Sequence, residues 1–213
     1  MSKLQPPLLT DAWVTATWAE YLQTIEAPVH DRAKGYYYNG QMRLEMLPVG
    51  SDHSRDHSLI LFAVNLFATL RGIPFNARDN CTYRKAGVQE CQPDLSYSIG
   101  DRSQMIPWGV NIVDLNQYPP PDLVIEIAKT TLLDDQGAKR LLYEDLNVRE
   151  YWIVDVEQVQ ILAFEIIHRG SRRIDTSRVL SGLRMEWLEE ALQRSRSVDQ
   201  SQVGAWLITQ FQQ

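Results

Sequence analysis

The 213 residues, 44% hydrophobic and 23% charged, have the balance of a globular protein and enough length to bury a core without disulfide or metal staples. A formal net charge of −6 argues against indiscriminate high-affinity binding to nucleic acid, which draws its strength from phosphate neutralisation by Lys and Arg. The chain opens on no basic segment followed by an apolar stretch and contains no run near the roughly 18 apolar residues of a membrane span, so a cytoplasmic protein is expected.

Residues 1–9 are polar, carry Pro6 and Pro7 and are expected to be weakly ordered; residues 10–22 read as a short opening helix. Tyr36, Tyr37 and Tyr38 then lead into Asn39-Gly40, a strong hairpin signal because both central residues of a type I′ turn need positive φ. The returning strand, 41–47, sets Met42, Leu44 and Met46 against Arg43 and Glu45 on the opposite face, and Pro48 and Gly50 end it. Ser51-Asp52 would cap a helix with an apolar stripe at Leu59, Phe62, Ala63, Leu66 and Leu70, closed by Gly72 and Pro74.

Strands are expected through Cys81-Thr82-Tyr83 and over 93–99. Residues 100–121 hold two glycines and four prolines, a long excursion of the kind that often serves function. Residues 122–127 are nearly continuous in apolar side chains except at Glu126, the pattern of a strand covered on both faces. A helix follows from Asp134-Asp135 through Lys139, Leu142, Tyr143 and Leu146, then strands over 150–156 and 159–167. Two helices, 185–193 and 202–211, close the chain. This order predicts an α/β domain with a central mixed sheet flanked by helices over 1–193, and a C-terminal helical extension over 194–213.

Cys81 and Cys91 stand ten apart without a C-x-x-C pair and read as buried thiols. Two basic clusters, Arg169, Arg172, Arg173 and Arg178, and Lys139 with Arg140, are either solvated faces or phosphate contacts.

Glu126, between Ile125 and Ile127, is costly to bury unless it is paired or ligates a metal. If 94–99 and 121–126 pair antiparallel, Asp94 and Glu126 lie opposite each other and share a face about 5 Å apart. Like charges at that range raise one pKa unless a cation or proton intervenes. A hard divalent ion such as Mg²⁺ suits the pair, since it takes one or two carboxylates, waters and a substrate phosphate, and the chemistry suggested is phosphodiester hydrolysis. The competing reading makes Glu126 a structural ion-pair partner and Asp94 a strand cap after Pro93.

The stretch PDLVIEIAKTTLLDDQGAKRLLYEDLNVREYWIVDVEQVQI, preceded in order by the Asn39-Gly40 hairpin, EMLPVGSDH and CQPDLSYSI, resembles the putative restriction endonuclease family, bacterial proteins of unknown function assigned to the PD-(D/E)XK nuclease superfamily. The resemblance implies a restriction-endonuclease-like sheet and Mg²⁺- or Mn²⁺-dependent cleavage of DNA, with Asp94 and Glu126 as metal ligands and Glu45 and His53 facing the site. The superfamily lysine falls two residues past the glutamate, where this chain has Ala128. Lys129 is one position too late for that strand face, and Lys139 on the following helix is the favoured replacement.

The missing lysine also leaves room for a nuclease-like fold kept as a nucleic-acid or protein binding module. His53 and His57 have the spacing of a zinc-binding helix but lack the glutamate between them. The apolar residues Trp187, Leu188, Leu192, Val203, Trp206 and Leu207 of the last helices either pack on their own domain or form an assembly surface, for instance in a homodimer.

Overall fold

Reciprocal capping decides where the first helix of the chain begins. The computed structural model describes residues 10–46 and 50–212; the expectations for residues 1–9, Leu47 and Pro48 lie outside that range. Residues 10–22 do not form one helix. Val14–Thr15 is a short strand, β1, and helix α1 spans Trp18–Ile25. Thr17 accepts from the Glu20 backbone while the Glu20 carboxylate receives the Thr17 backbone N–H, a capping box that starts the helix at Trp18.

Strands β2 (Lys34–Tyr38) and β3 (Gln41–Glu45) form the expected hairpin, with Asn39 at φ 50° and Gly40 at φ 72°. Lys34 stands opposite Glu45 and Tyr36 opposite Arg43. Met42 and Leu44 pack with Tyr21 and Tyr37 beneath α1. Helix α2 spans Ser51–Leu70 with Gly50 as its N-cap and no side-chain capping bond, so Ser51 and Asp52 sit inside the first turn instead of capping it. Leu59, Ile60, Ala63, Val64 and Phe67 face the core, whereas Phe62 and Leu70 of the expected stripe are exposed.

The single strand expected through Cys81 resolves into β4 (Phe75–Asp79), β5 (Tyr83–Lys85) and β6 (Gln89–Cys91). Asn80 at φ 50° and Gly87 at φ 75° break the run where it changes direction. β7 spans Leu95–Ile99; the excursion after it holds a 3₁₀ turn, Gly100–Gln104, and a short strand, β8 (Val113–Asp114). β9 spans Leu123–Ala128, and the helix expected next is two, α3 (Leu132–Gln136) and α4 (Ala138–Leu146), broken at Gly137. β10 (Glu150–Asp155), β11 (Gln160–Ile167), α5 (Met185–Ser195) and α6 (Gln200–Phe211) match expectation, while β12 (Gly170–Arg173) occupies part of the arginine cluster.

The strands make two mixed six-stranded sheets, ordered β1-β3-β2-β6-β5-β8 and β12-β11-β10-β9-β7-β4, where one central sheet was expected. In the second sheet β9 and β10 are parallel, joined through α3 and α4, and the other pairs are antiparallel. Side chains alternate between its faces. Tyr97, Ile125, Ile127, Trp152 and Val154 pack with residues of α2, α5 and α6. Val124, Ala128, Tyr151 and Ile153 turn the other way, toward Leu142 and Tyr143 of α4 and Tyr36, Tyr83 and Cys91 of the first sheet.

Leu188, Leu192, Val203, Leu207 and Phe211 are buried in the core, with Trp187 and Trp206 packed against it, so the apolar faces of the last two helices are taken up within the chain. Both cysteines are free, Cys91 buried and Cys81 half-buried. Among the described residues, no helix is long and apolar enough to cross a membrane.

The C-terminal helices are tied down by charge as well as packing, because Arg196 meets the buried carboxylate of Asp56 on α2 with two guanidinium nitrogens. Removing one partner of a buried pair strands the other charge. Arg196→Ala should therefore cost about 3–5 kcal/mol in urea denaturation. Asp56→Ala should cost less, since the Arg196 side chain is 30% exposed and can turn to water; equal losses would contradict this account.

Candidate metal centre

Antiparallel pairing of β7 with β9 sets Leu95 opposite Ile125 and Ser96 opposite Val124. The same register brings Asp94 to Glu126, as the sequence predicts. The Asp94 backbone N–H donates to Glu126 Oε2 at 3.3 Å, and the Ile127 N–H donates to Asp94 Oδ2 at 2.8 Å. Both side chains are almost wholly buried, 4% and 2% exposed, on the face that looks toward α4 and the first sheet.

Each carboxylate has its own holders. Glu126 Oε1 accepts from the hydroxyls of Tyr143 at 2.7 Å and Tyr36 at 3.2 Å, with the Lys139 ammonium 3.9 Å away. Burial, reinforced by the Glu126 charge, pushes both tyrosine hydroxyls well above their ordinary pKa, so they remain donors. Asp94 Oδ1 meets the Lys34 ammonium, and Oδ2 lies 3.3 Å from His53 Nε2.

Glu45 is held by Lys139 at 2.7 Å and Arg43 at 3.0 Å. Lys139 also reaches Asp135 at 3.0 Å and lies 4.4 Å from the centre of the Tyr36 ring. These groups border a cleft of about 340 Å³ lined by Lys34, Glu45, His53, Asp94, Glu126, Lys129 and Lys139, among others.

The charges do not balance. Five carboxylates (Glu45, Asp94, Glu126, Asp134 and Asp135) surround three permanent cations, Lys34, Arg43 and Lys139. Full ionisation would leave two negative charges in a poorly solvated region, His53 aside. In the absence of a further cation the excess falls on Glu126 and Asp135, whose carboxyls burial pushes up. Burial raises the Glu126 pKa to about 8 against the pull of Lys139, and the Asp94 charge adds to the rise.

Asp94 goes the other way. Burial opposes its ionisation, but the His53 hydrogen bond and the Lys34 charge outweigh it and hold the carboxyl well below the ordinary range. For Glu45, too, Lys139 and Arg43 overcome burial and lower the pKa. Lys139 stays charged, because Asp135, Glu126 and Glu45 overcome the cost of burying it.

Two adjacent all-oxygen donors with surplus negative charge fit a hard divalent ion. Among the described residues, no three or more His, Cys, Asp or Glu side chains converge to hold a metal by themselves. The rest of such an ion's shell would come from water, backbone or substrate oxygens, as is usual for Mg²⁺.

Five sequence-predicted site residues therefore gather here: Asp94, Glu126, Lys139, Glu45 and His53. Lys129 lines the lip, where it pairs with Asp52 at the start of α2. His57 turns to Asp79 at 3.4 Å, away from the His53 contact with Asp94, so the two histidines address different carboxylates. Of the arginine cluster, Arg169 pairs with Asp145, Arg172 pairs with Glu165, and Arg173 stacks on Phe164.

Sequence reading missed Lys34, Tyr36, Arg43 and Asp135. The first three could have been found by counting outward from Asn39-Gly40, which puts Lys34 and Tyr36 on the face of Glu45 and Arg43. Asp135 carries its own signal, four residues before Lys139.

A family model described as putative restriction endonuclease matches residues 18–200. Among solved structures, a putative nuclease from Anabaena variabilis matches with a TM-score of 0.60 at 19% identity, over 83% of this chain and 98% of that one, which shows a common fold. No curated protein matches the chain.

The raised Glu126 pKa gives stability a definite pH slope. Its contribution is complete below about pH 4.5 and is lost as pH rises through about 8, because the folded state keeps a proton that the unfolded state releases. In EDTA, urea midpoints should fall between about pH 5 and about pH 8.5 more steeply for the wild type than for Glu126→Gln, which has no proton to lose. Parallel slopes would refute the assignment. Lys139→Met, which strands Glu45 and Asp135, should cost about 3–5 kcal/mol, whereas Lys129→Met, at an exposed pair, should leave the midpoint unchanged.

Proposed function

The chain belongs to the putative restriction endonuclease family, and from that premise we propose that it is a metal-dependent DNA endonuclease of the cytoplasm, hydrolysing phosphodiester bonds with Mg²⁺ or Mn²⁺ held by Asp94 and Glu126. The observation that supports this reading is the meeting of two buried carboxylates across β7 and β9 at the wall of a cleft. When bound there, the ion supplies a water of lowered pKa and a counter-charge for the phosphorus centre.

The chain's own residues prepare the site. Tyr36 and Tyr143 fix one oxygen of Glu126, and the Ile127 amide with His53 fixes one oxygen of Asp94. Lys139 holds Glu45 and sets positive charge beside Glu126, the electrostatic part that the superfamily lysine supplies from another position. Glu45, ionised and facing the cleft, is placed to orient the attacking water. With a net charge of −6, affinity for DNA would depend on the bound ion and these local cations.

One observation favours a second reading, a binding module that has lost catalysis. Ala128 brings no charge to the face of Glu126, and Lys139 is 1% exposed, enclosed by Glu45, Asp135 and Tyr36.

Plasmid cleavage with Mg²⁺ or Mn²⁺ separates the two readings. The wild type should cleave and an Asp94→Asn, Glu126→Gln double variant should lose about 10³-fold in rate. Equal residual cleavage in both preparations would mean a contaminant and sink the enzymatic reading. Calorimetry without Asp94-dependent Mn²⁺ uptake would support the module.

A further inference from the structure

The three lysines that line the cleft differ in how firmly they are held. Lys139 is enclosed by Glu45, Asp135, Glu126 and the Tyr36 ring. It cannot leave without stranding buried carboxylates. Lys129 pairs with the exposed Asp52 at the lip. Lys34 is tied more simply: among the described residues, its ion-pair partner is Asp94 alone.

The oxygens of Asp94 divide the work. Oδ2 is taken by the Ile127 N–H and faces His53, while Oδ1 meets the Lys34 ammonium. Oδ1 is therefore the oxygen left for a cation, and Lys34 already occupies its place. An ammonium and a divalent ion in contact with the same oxygen repel strongly in a poorly solvated cleft. One must yield. Lys34 is the first residue of β2, its side chain is 12% exposed, and it borders the open cleft, so its ammonium has somewhere to go.

We propose that Lys34 is an exchangeable counter-ion: it neutralises Asp94 before metal binds, yields the Oδ1 position to the metal, and turns its ammonium to the phosphate of the substrate. This rests on the metal-dependent reading above and extends it to a residue on the hairpin, remote in sequence from the acidic strands. A released ammonium beside the metal is a point charge suited to a phosphate oxygen. The exchange leaves Asp94 with a positive partner at each stage. It also gives the site a cation free to meet the substrate, which Lys139 is not.

The test reads metal affinity and cleavage separately, by Mn²⁺ calorimetry and plasmid cleavage on wild type, Asp94→Asn, Lys34→Met and Lys34→Gln, with thermal midpoints to establish folding. A competitor for Asp94 and a mere structural support differ in sign. Removing a competitor should tighten Mn²⁺ binding, by about tenfold in either Lys34 variant, while cleavage falls about 10²-fold. Unchanged or weaker Mn²⁺ binding in a folded Lys34 variant would overturn the exchange, and so would tighter binding with cleavage at the wild-type rate. If the wild type takes up no more Mn²⁺ than Asp94→Asn, the metal-dependent reading fails and this inference falls with it.

Discussion

Two acids face each other across β7 and β9 in a region with little water, and most of the surrounding polar structure answers that arrangement. Asp94 and Glu126 exchange backbone contacts as well as sharing a face, because each accepts from an N–H of the other's segment. The carboxylates are thus fixed by the sheet itself. Their charge then has to be met by side chains brought from elsewhere: Lys34 from the hairpin, Lys139 from α4 and His53 from the head of α2. A separation of pKa values follows, Asp94 driven down and Glu126 driven up. Two interacting groups in such a site titrate as a pair, with the proton kept where positive charge is scarcer.

The two-sheet architecture serves that centre. The face of the second sheet carrying Val124 and Ala128 meets the first sheet and α4 through Tyr36, Tyr83, Tyr143 and Tyr151. These large side chains exclude water yet carry hydroxyls, which lets a packed layer satisfy polar atoms within it. Tyr36 and Tyr143 use theirs on Glu126, and Tyr151 donates to the Asp135 carbonyl at 3.0 Å. On the far side of the sheet the packing is mainly apolar, around a buried Glu150 carboxylate that accepts from Trp152, Ser177 and two backbone N–H groups, and α2, α5 and α6 cover it. The polar centre sits at the edge of the core and not through it, so the charges cost stability locally while the rest of the sheet holds the strands in register.

Lysine placement shows how one electrostatic requirement can be met from different elements. A strand lysine at 128 would have reached the face of Glu126 directly. Ala128 leaves that position apolar, and Lys139 arrives instead across the break at Gly137, where α3 ends and α4 begins. Asp135 on α3 and Lys139 on α4 face each other across that break. Lys139 is the more rigidly bound of the cleft ammonium groups for this reason, and Lys34 the less.

The amino-acid sequence by itself determined the hairpin, since Asn39-Gly40 admits few alternatives, and it determined the buried acidic strand, since Glu126 interrupts an otherwise apolar run. The relation of Asp94 to Glu126 followed from the sequence only if the two strands paired antiparallel, and the register of β7 on β9 decided it. Local chemistry misled where short-range signals competed. The capping box at Thr17 and Glu20 overrode the longer helical pattern, and Asn80 and Gly87 cut one expected strand into three. Only tertiary structure decided which cations come to the acids. Lys34, Tyr36 and Arg43 lie 60, 90 and 91 residues from Asp94, Glu126 and Asp134, the carboxylates that they meet. Counting from Asn39-Gly40 puts Lys34 and Tyr36 on the face of Glu45 and Arg43, but which acids that face meets depends on how the two sheets pack and not on the spacing of residues along either one.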